Sequence, residues 1–243
     1  MPEDDVSTSK LAKVIAQAGV ASRRKAESLI EDGRVSVNDV VCTIVATRVD
    51  PLKDIVSVDG QPIYQETTKV VLMLHKPRGI VSTVDDPDGK PTVMQFIPKE
   101  YGGFRLFPVG RLDEDSEGLL LLTNDGELAY KLTHPKFEVP KTYIARITGH
   151  LTPYELERLE RGIPLKEKRT EPAVVEFVSE DDESQEVRIT ITEGLHRQVR
   201  RMFRALNHEV VRLQRISFGK YELGDLAAGK CIEISKVDSS NEL

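Results

Sequence analysis

The chain has no tryptophan, only two cysteines, and aromatic residues at 5% of its 243 positions. Two thiols as far apart in sequence as Cys42 and Cys231 form neither a disulfide framework nor a zinc site, and they point to a reducing compartment. Each is expected to be a small buried apolar residue. The scarcity of rings argues against an enzyme that holds sugars on aromatic platforms between two partner acids. No long apolar run occurs. Leu119 to Leu122 with its neighbours is the longest, well short of the ~20 residues that span a bilayer, so no membrane partner is expected. The start, Met1-Pro2-Glu3-Asp4-Asp5, is acidic and polar rather than basic and apolar, unlike a secretory signal. The expected location is therefore cytoplasmic. The histidines at positions 75, 134, 150, 196 and 208 show no metal-ligand spacing, and no glycine pattern for nucleotide phosphates appears. Neither a metal nor a small-molecule cofactor is expected.

Basic residues are outnumbered, 34 against 40 acids, for a net charge of -6. Taken alone this disfavours a nucleic-acid partner. Their distribution says otherwise. Residues 6 to 26 carry Lys10, Lys13, Arg23, Arg24 and Lys25 with no acid among them. From His196 to Lys220 the bases are Arg197, Arg200, Arg201, Arg204, Arg212, Arg215 and Lys220, opposed only by Glu209. The acids gather at Glu3-Asp4-Asp5 and Glu180-Asp181-Asp182-Glu183. Two basic surfaces on an acidic body suit an anionic partner held at chosen places. Either cluster by itself would fit solvated arginine faces equally well.

The periodicities predict two unequal units. Leu11, Val14, Ile15 and Ala18 have helical spacing, with Gly19 as a stop. Ser22 is a candidate N-cap for a second helix that buries Ala26, Leu29 and Ile30 and ends at Gly33. Val35-Ser36-Val37 and Val40-Val41 around Asn38-Asp39 read as a hairpin, and Ile55 to Val58 as a further strand. Thr67 and Thr68 fall in a polar linker. Beyond it, strands are expected at 70–74, 118–123, 141–147, 174–178, 187–191, 210–216 and 232–234. Helices are expected from an Asn124 cap through Leu132, from Thr152 with Pro153 at its first position, and over the basic stretch 197–206. The tail is expected to fray from Asp238. This order gives an α+β protein: a small N-terminal domain, then a larger one on an extended, mostly antiparallel sheet flanked by helices.

The most informative stretch is Gly110-Arg111-Leu112-Asp113-Glu114-Asp115-Ser116-Glu117-Gly118, running into Leu119-Leu120-Leu121-Leu122-Thr123. It sets an acid at the lip of a buried strand. The block resembles the catalytic loop of the pseudouridine synthases, in the branch holding small-subunit synthase A and large-subunit synthases B, E and F. Two further segments resemble that family in order: Lys141-Thr142-Tyr143, and Glu193-Gly194-Leu195-His196-Arg197-Gln198-Val199-Arg200-Arg201-Met202-Phe203. His75-Lys76-Pro77-Arg78-Gly79 is similar to its strand and Lys-Pro-x-Gly turn. The segment 9–62 resembles an S4 RNA-binding domain, through Leu11-Ala12-Lys13, Ala18 to Arg24, Ala26-Glu27, Gly33-Arg34-Val35, Val37-Asn38 and Val58-Asp59-Gly60. His196 departs from the asparagine common among these relatives, which bears on fine substrate choice rather than on the reaction.

The resemblance implies an S4 domain over 8–64 and a catalytic domain over 68–237. It implies isomerisation of a uridine in ribosomal RNA, of the large subunit, by a monomer without a cofactor. The implied catalytic residues are Asp113, Tyr143 stacked on the flipped base, and Arg200 paired with Asp113. RNA contacts are expected from Lys13, Arg23, Arg24, Lys25, Arg111, Arg197, Arg201 and Arg204, with the four α-helical arginines from Arg197 to Arg204 on one broad face. Glu114, Asp115 and Glu117 are expected to face solvent. Only the likeness selects Asp113 over Asp115. A non-catalytic RNA-binding or ribosome-assembly factor would keep both basic surfaces and have no need of Asp113.

Overall fold

A computed structural model describes residues 8–64 and 66–234. The acidic start and the tail from Asp238 lie outside them. The chain forms two compact units: one runs to Val70 and includes Gly103–Arg105 and Asn124–Gly126, and the other holds the remainder.

In the first unit, β1 (Ser9–Lys10) leads directly into α1 (Leu11–Gln17), followed by α2 (Arg23–Glu31). Ser22 caps α2 by accepting a hydrogen bond from the Lys25 amide at 3.2 Å, which satisfies one of the free N–H groups at a helix start. Then come β2 (Val35–Val37), β3 (Val40–Val41), β4 (Arg48–Val49), β5 (Val56–Val58) and β6 (Gln61–Pro62). β1 pairs with β4, and the other four make a sheet in the order β3-β2-β5-β6. Asn38 and Asp39 both have positive φ, the conformation a two-residue hairpin turn demands. Leu11, Val14, Ile15, Ala26, Leu29, Ile30, Val35 and Val56 form the core. Lys13 is half-buried, while Arg23, Arg24 and Lys25 are exposed at the start of α2.

The second unit is built on one sheet of nine strands. Its strands are β7 (Val71–Lys76), β8 (Phe107–Val109), β9 (Glu117–Thr123), β10 (Lys141–Thr148), β11 (Val174–Glu180), β12 (Ser184–Ile191), β13 (Val210–Phe218), β14 (Tyr221–Glu222) and β15 (Cys231–Glu233). The main path is β11-β12-β10-β13-β9-β7-β15, with β14 beside β13 and β8 beside β9. Every junction is antiparallel except the short β9–β13 contact, where Glu117 meets Gln214 and Gly118 meets Arg215 in parallel. The helices are α3 (Gly126–Thr133), α4 (Pro153–Glu160) and α5 (Gln198–Arg204). Among the described residues, no helix is long and apolar enough to cross a membrane.

β9 positions the site. Leu119, Leu120, Leu121 and Leu122 are each fully buried, because both faces of the strand are covered; this is why the sequence shows a continuous apolar run instead of alternation. Leu119 and Leu121 pack with Val109, Leu132 and Phe218. Burial of each leucine stabilises the fold by roughly 1.5–3 kcal/mol.

Two local expectations differ. Asn124 does not begin a helix directly: its side chain accepts from the Val70 amide (2.9 Å) and donates to the Thr68 carbonyl (2.8 Å), and α3 starts at Gly126. The cysteines are half-buried, not buried. Burial still pushes the Cys231 thiol up to about 11. α4, by contrast, begins as its sequence implies, with Thr152 and Glu155 forming a reciprocal capping box and Pro153 at the first turn.

Candidate active site

The loop between β8 and β9 is fixed from several sides. Ser82, buried, clamps Leu112: its hydroxyl donates to the Leu112 carbonyl (2.8 Å) and accepts from the Leu112 amide (3.1 Å). The Gly79 amide donates to the Glu114 carbonyl at 2.7 Å, and the Ser116 amide to the Asp113 carbonyl at 3.0 Å. Lys76 is fully buried. Its Nζ donates to the Ser116 carbonyl (2.7 Å) and the Pro77 carbonyl (2.9 Å), tying the end of β7 to the start of β9. Burial lowers its ammonium from 10.5 to about 8, opposed by the nearby acids Asp113, Asp115, Glu114 and Glu117. Gly118 then enters the strand at φ +106, where a Cβ would lie 2.3 Å from the Arg215 carbonyl oxygen.

Asp113 is partly exposed, with 30% of its side chain accessible, and its Oδ2 lies 3.8 Å from Arg197 Nη1. Of its neighbours, Glu114 is exposed as expected, Asp115 is half-buried and Glu117 is mostly covered, and each is ion-paired. Asp115 receives a bidentate fork from Arg197, Nη1 to Oδ1 at 2.9 Å and Nη2 to Oδ2 at 2.7 Å. That fork holds the Asp115 carboxyl below its ordinary value and raises Arg197. Glu114 pairs with Lys90 at 2.8 Å, and Glu117 pairs with Arg212.

Arg200 is buried, 8% exposed, and its carboxylate contact is Asp115 rather than Asp113: Nε lies 3.3 Å from Asp115 Oδ2. Its guanidinium also donates to the Asp115 carbonyl (2.9 Å) and the Val210 carbonyl (2.6 Å). Desolvation lowers it from its ordinary value, yet a guanidinium remains a cation.

The arginines of this stretch do not share one surface. Arg197 precedes α5 with a left-handed backbone, φ 50 and ψ 37. Arg201 is ion-paired to Glu167 and donates to the His196 carbonyl. Arg204 is exposed, as is Arg111. Burial of Gln198, Val199, Met202 and Phe203 orients α5 and divides the four. Tyr143 lies in β10, 8% exposed, opposite Ile189 on one side and Arg215 on the other.

An open cleft of about 410 Å³ is lined by Arg78, Gly79, Glu114, Asp115 and Arg197. Arg78, Ser82 and the buried state of Lys76 carried no functional reading in the sequence. The Lys-Pro-x-Gly turn marks the place, but only the return of the chain against the Asp113 loop gives these residues their contacts. Among the described residues, no group of three or more His, Cys, Asp or Glu could hold a metal ion.

A carboxylate held beside guanidinium groups at an open cleft, in a chain that also carries a basic helical unit, defines a protein suited to chemistry on an anionic polymer. Comparison with known proteins makes this specific. The sequence profile for RNA pseudouridylate synthases matches residues 70–205, and that for the S4 domain matches residues 9–56. The chain is 47% identical over 232 residues to ribosomal large subunit pseudouridine synthase B of Bacillus subtilis, covering 93% of this chain and 92% of the relative. It is 40% identical over 219 residues to the Salmonella typhi protein of the same name, covering 88% and 75%. A crystal structure of a pseudouridylate synthase superposes with a TM-score of 0.66 at 31% identity, covering 93% of this chain and 95% of the other. The chain belongs to the RNA pseudouridylate synthase family, and is thus an isomerase that carries an S4 domain.

Proposed function

We propose that this enzyme converts a uridine of large-subunit ribosomal RNA to pseudouridine, with Asp113 as the reacting carboxylate. The RNA class follows the names of the relatives in Bacillus subtilis and Salmonella typhi. The reading is carried by the placement of Asp113: partly accessible and 3.8 Å from Arg197, in a loop whose backbone is held by Ser82, Gly79 and Lys76.

Isomerisation breaks the N1–C1′ bond, turns the uracil and rejoins it through C5. A carboxylate can attack C1′ or stabilise the cationic sugar left behind; addition at C6 of the base is the other route open to it. No electrons or external groups move, so the reaction calls for no cofactor. A paired uridine must leave its stack to reach the acid, at a cost of a few kcal/mol. Tyr143 offers a ring that returns about 1–3 kcal/mol on stacking, and its phenol can assist removal of the C5 proton. Arg200 acts within this reading as a buried cation beside the loop. Arg111, Arg197, Arg201 and Arg204 supply positive charge to the backbone of the RNA. The S4 domain, over 8–64, holds folded RNA through Lys13, Arg23, Arg24 and Lys25, while residues 68–237 do the chemistry. The protein acts as a cytoplasmic monomer.

Asp113→Asn tests the reaction. Isomerisation of ribosomal RNA fragments should be abolished while RNA affinity changes little. Full turnover by the variant would remove Asp113 from the mechanism. Mapping pseudouridines in ribosomal RNA from cells lacking the protein, with and without re-supply, identifies the target.

A further inference from the structure

Asp115 has no role in the chemistry just described, yet it is the most heavily engaged acid of the loop. Its carboxylate takes both arms of the Arg197 fork, at 2.9 and 2.7 Å. The same Oδ2 lies 3.3 Å from Arg200 Nε, and its backbone carbonyl accepts from Arg200 Nη2 at 2.9 Å. Arg200 is fixed further by the Val210 carbonyl at 2.6 Å, so it cannot follow Arg197 elsewhere.

Arg197 is different. It sits half-buried outside the helix, in a left-handed backbone conformation, and reaches Asp113 only at 3.8 Å. Two carboxylates thus compete for one planar fork. A guanidinium is best satisfied by a bidentate carboxylate. Were Asp115 neutral, the nearest remaining carboxylate for that fork would be Asp113. A bidentate pair there would occupy both oxygens that must approach the sugar or base, and would withdraw charge from them.

We propose that Asp115 is a positioning residue of the reaction: by holding the Arg197 fork, it keeps that arginine close to Asp113 but off its reacting oxygens. This inference rests on Asp113 being the reacting carboxylate. Asp115 then sets the geometry of the acid through Arg197, without touching substrate.

The experiment combines single-turnover kinetics at saturating RNA with direct measurement of RNA affinity. Asp115→Asn keeps the side-chain volume and removes the charge. The expected result is a rate lower by about tenfold or more, the scale of a small misplacement at a reacting centre, with the RNA dissociation constant within about threefold of wild type. Adding Arg197→Gln to Asp115→Asn removes the fork that would collapse onto Asp113, and the double variant should turn over faster than Asp115→Asn alone. A purely structural cross-link would show no such recovery. If Asp115→Asn does not fold, Asp115→Glu replaces it: the charge stays, the fork is displaced by one methylene, and the rate should fall with affinity unchanged. A wild-type rate for the single variant, a parallel loss of rate and affinity, or a double variant no faster than the single would each overturn the proposal. Asp113→Asn is assayed alongside. Turnover by that variant would remove the underlying reading, whereas its inactivity beside a fully active Asp115→Asn would remove only the positioning role.

Discussion

Lys76 makes the stability of the second unit depend on pH in an unusual direction. Its ammonium is fully buried and lowered from 10.5 to about 8. A gap of that size corresponds to ~3 kcal/mol of disfavour for the charged form in the folded protein. At pH 7 the amine is protonated in both folded and unfolded chains, and the whole cost is present. As pH rises past about 8 the folded protein releases this proton, while the unfolded chain retains it up to about 10.5. The unfolded state then binds more protons, so stability rises with pH across that window. Replacing Lys76 by Met abolishes the effect. At pH 7 the substitution relieves a buried charge but leaves the Pro77 and Ser116 carbonyls without their donor, at ~1 kcal/mol or more each, so its net effect there is small. The difference appears in the pH dependence: between pH 7 and about pH 9.5, wild type should gain roughly 2 kcal/mol that Lys76→Met does not. Lys141, also lowered to about 8 by burial and by Arg215, is common to both proteins and cancels. Urea unfolding followed by circular dichroism measures this, since the chain has no tryptophan to report by fluorescence. Identical pH dependence in the two proteins would show that the Lys76 ammonium is not dehydrated in solution.

Two other perturbations test separate links. Gly118→Ala places a Cβ 2.3 Å from the Arg215 carbonyl oxygen at a backbone φ of +106; the expected loss is about 2 kcal/mol or more, and an unchanged thermal midpoint would contradict the close approach of β9 and β13. Replacing Arg23, Arg24 and Lys25 together by alanine should flatten the slope of log binding constant against log salt by about two to three, one for each phosphate no longer neutralised; a constant slope would remove the start of α2 from RNA binding.

The sequence made some parts of this structure readable for identifiable reasons. α2 announces itself through Ser22 and the spacing of Ala26, Leu29 and Ile30, and α4 through Thr152, Pro153 and Glu155, because caps and helical periodicity are local. β9 is visible as a run of leucines. Its neighbours are not, since Gly118 meets Arg215 across nearly a hundred residues of chain, and no local rule selects that partner. At the candidate site the loop and its acids were legible, but the division of labour among them was not. Asp113 and Asp115 are two residues apart and chemically identical. Which one receives the Arg197 fork is decided by the backbone path through Gly110, Leu112 and Ser116, and by a left-handed residue before α5. The family likeness singles out Arg200 as a partner of Asp113, but its burial and its contact with Asp115 follow from where α5 packs. Lys76 closes a strand of buried residues, a pattern that hints at an interior lysine without naming the carbonyls that accept from it.

The anchoring of β9 has one more consequence. The strand is bonded to β7, β8 and β13, and its four consecutive leucines have no accessible surface. A slip by one residue would turn each of those side chains to the opposite face and unpair three neighbours at once. If Asp113 is the reacting acid, as proposed, it works from this mouth like a tool bolted to a bench. On that reading the polynucleotide would have to bend and offer its nucleotide, and selectivity among uridines would be a matter of which stretches of RNA deform most cheaply toward a fixed point.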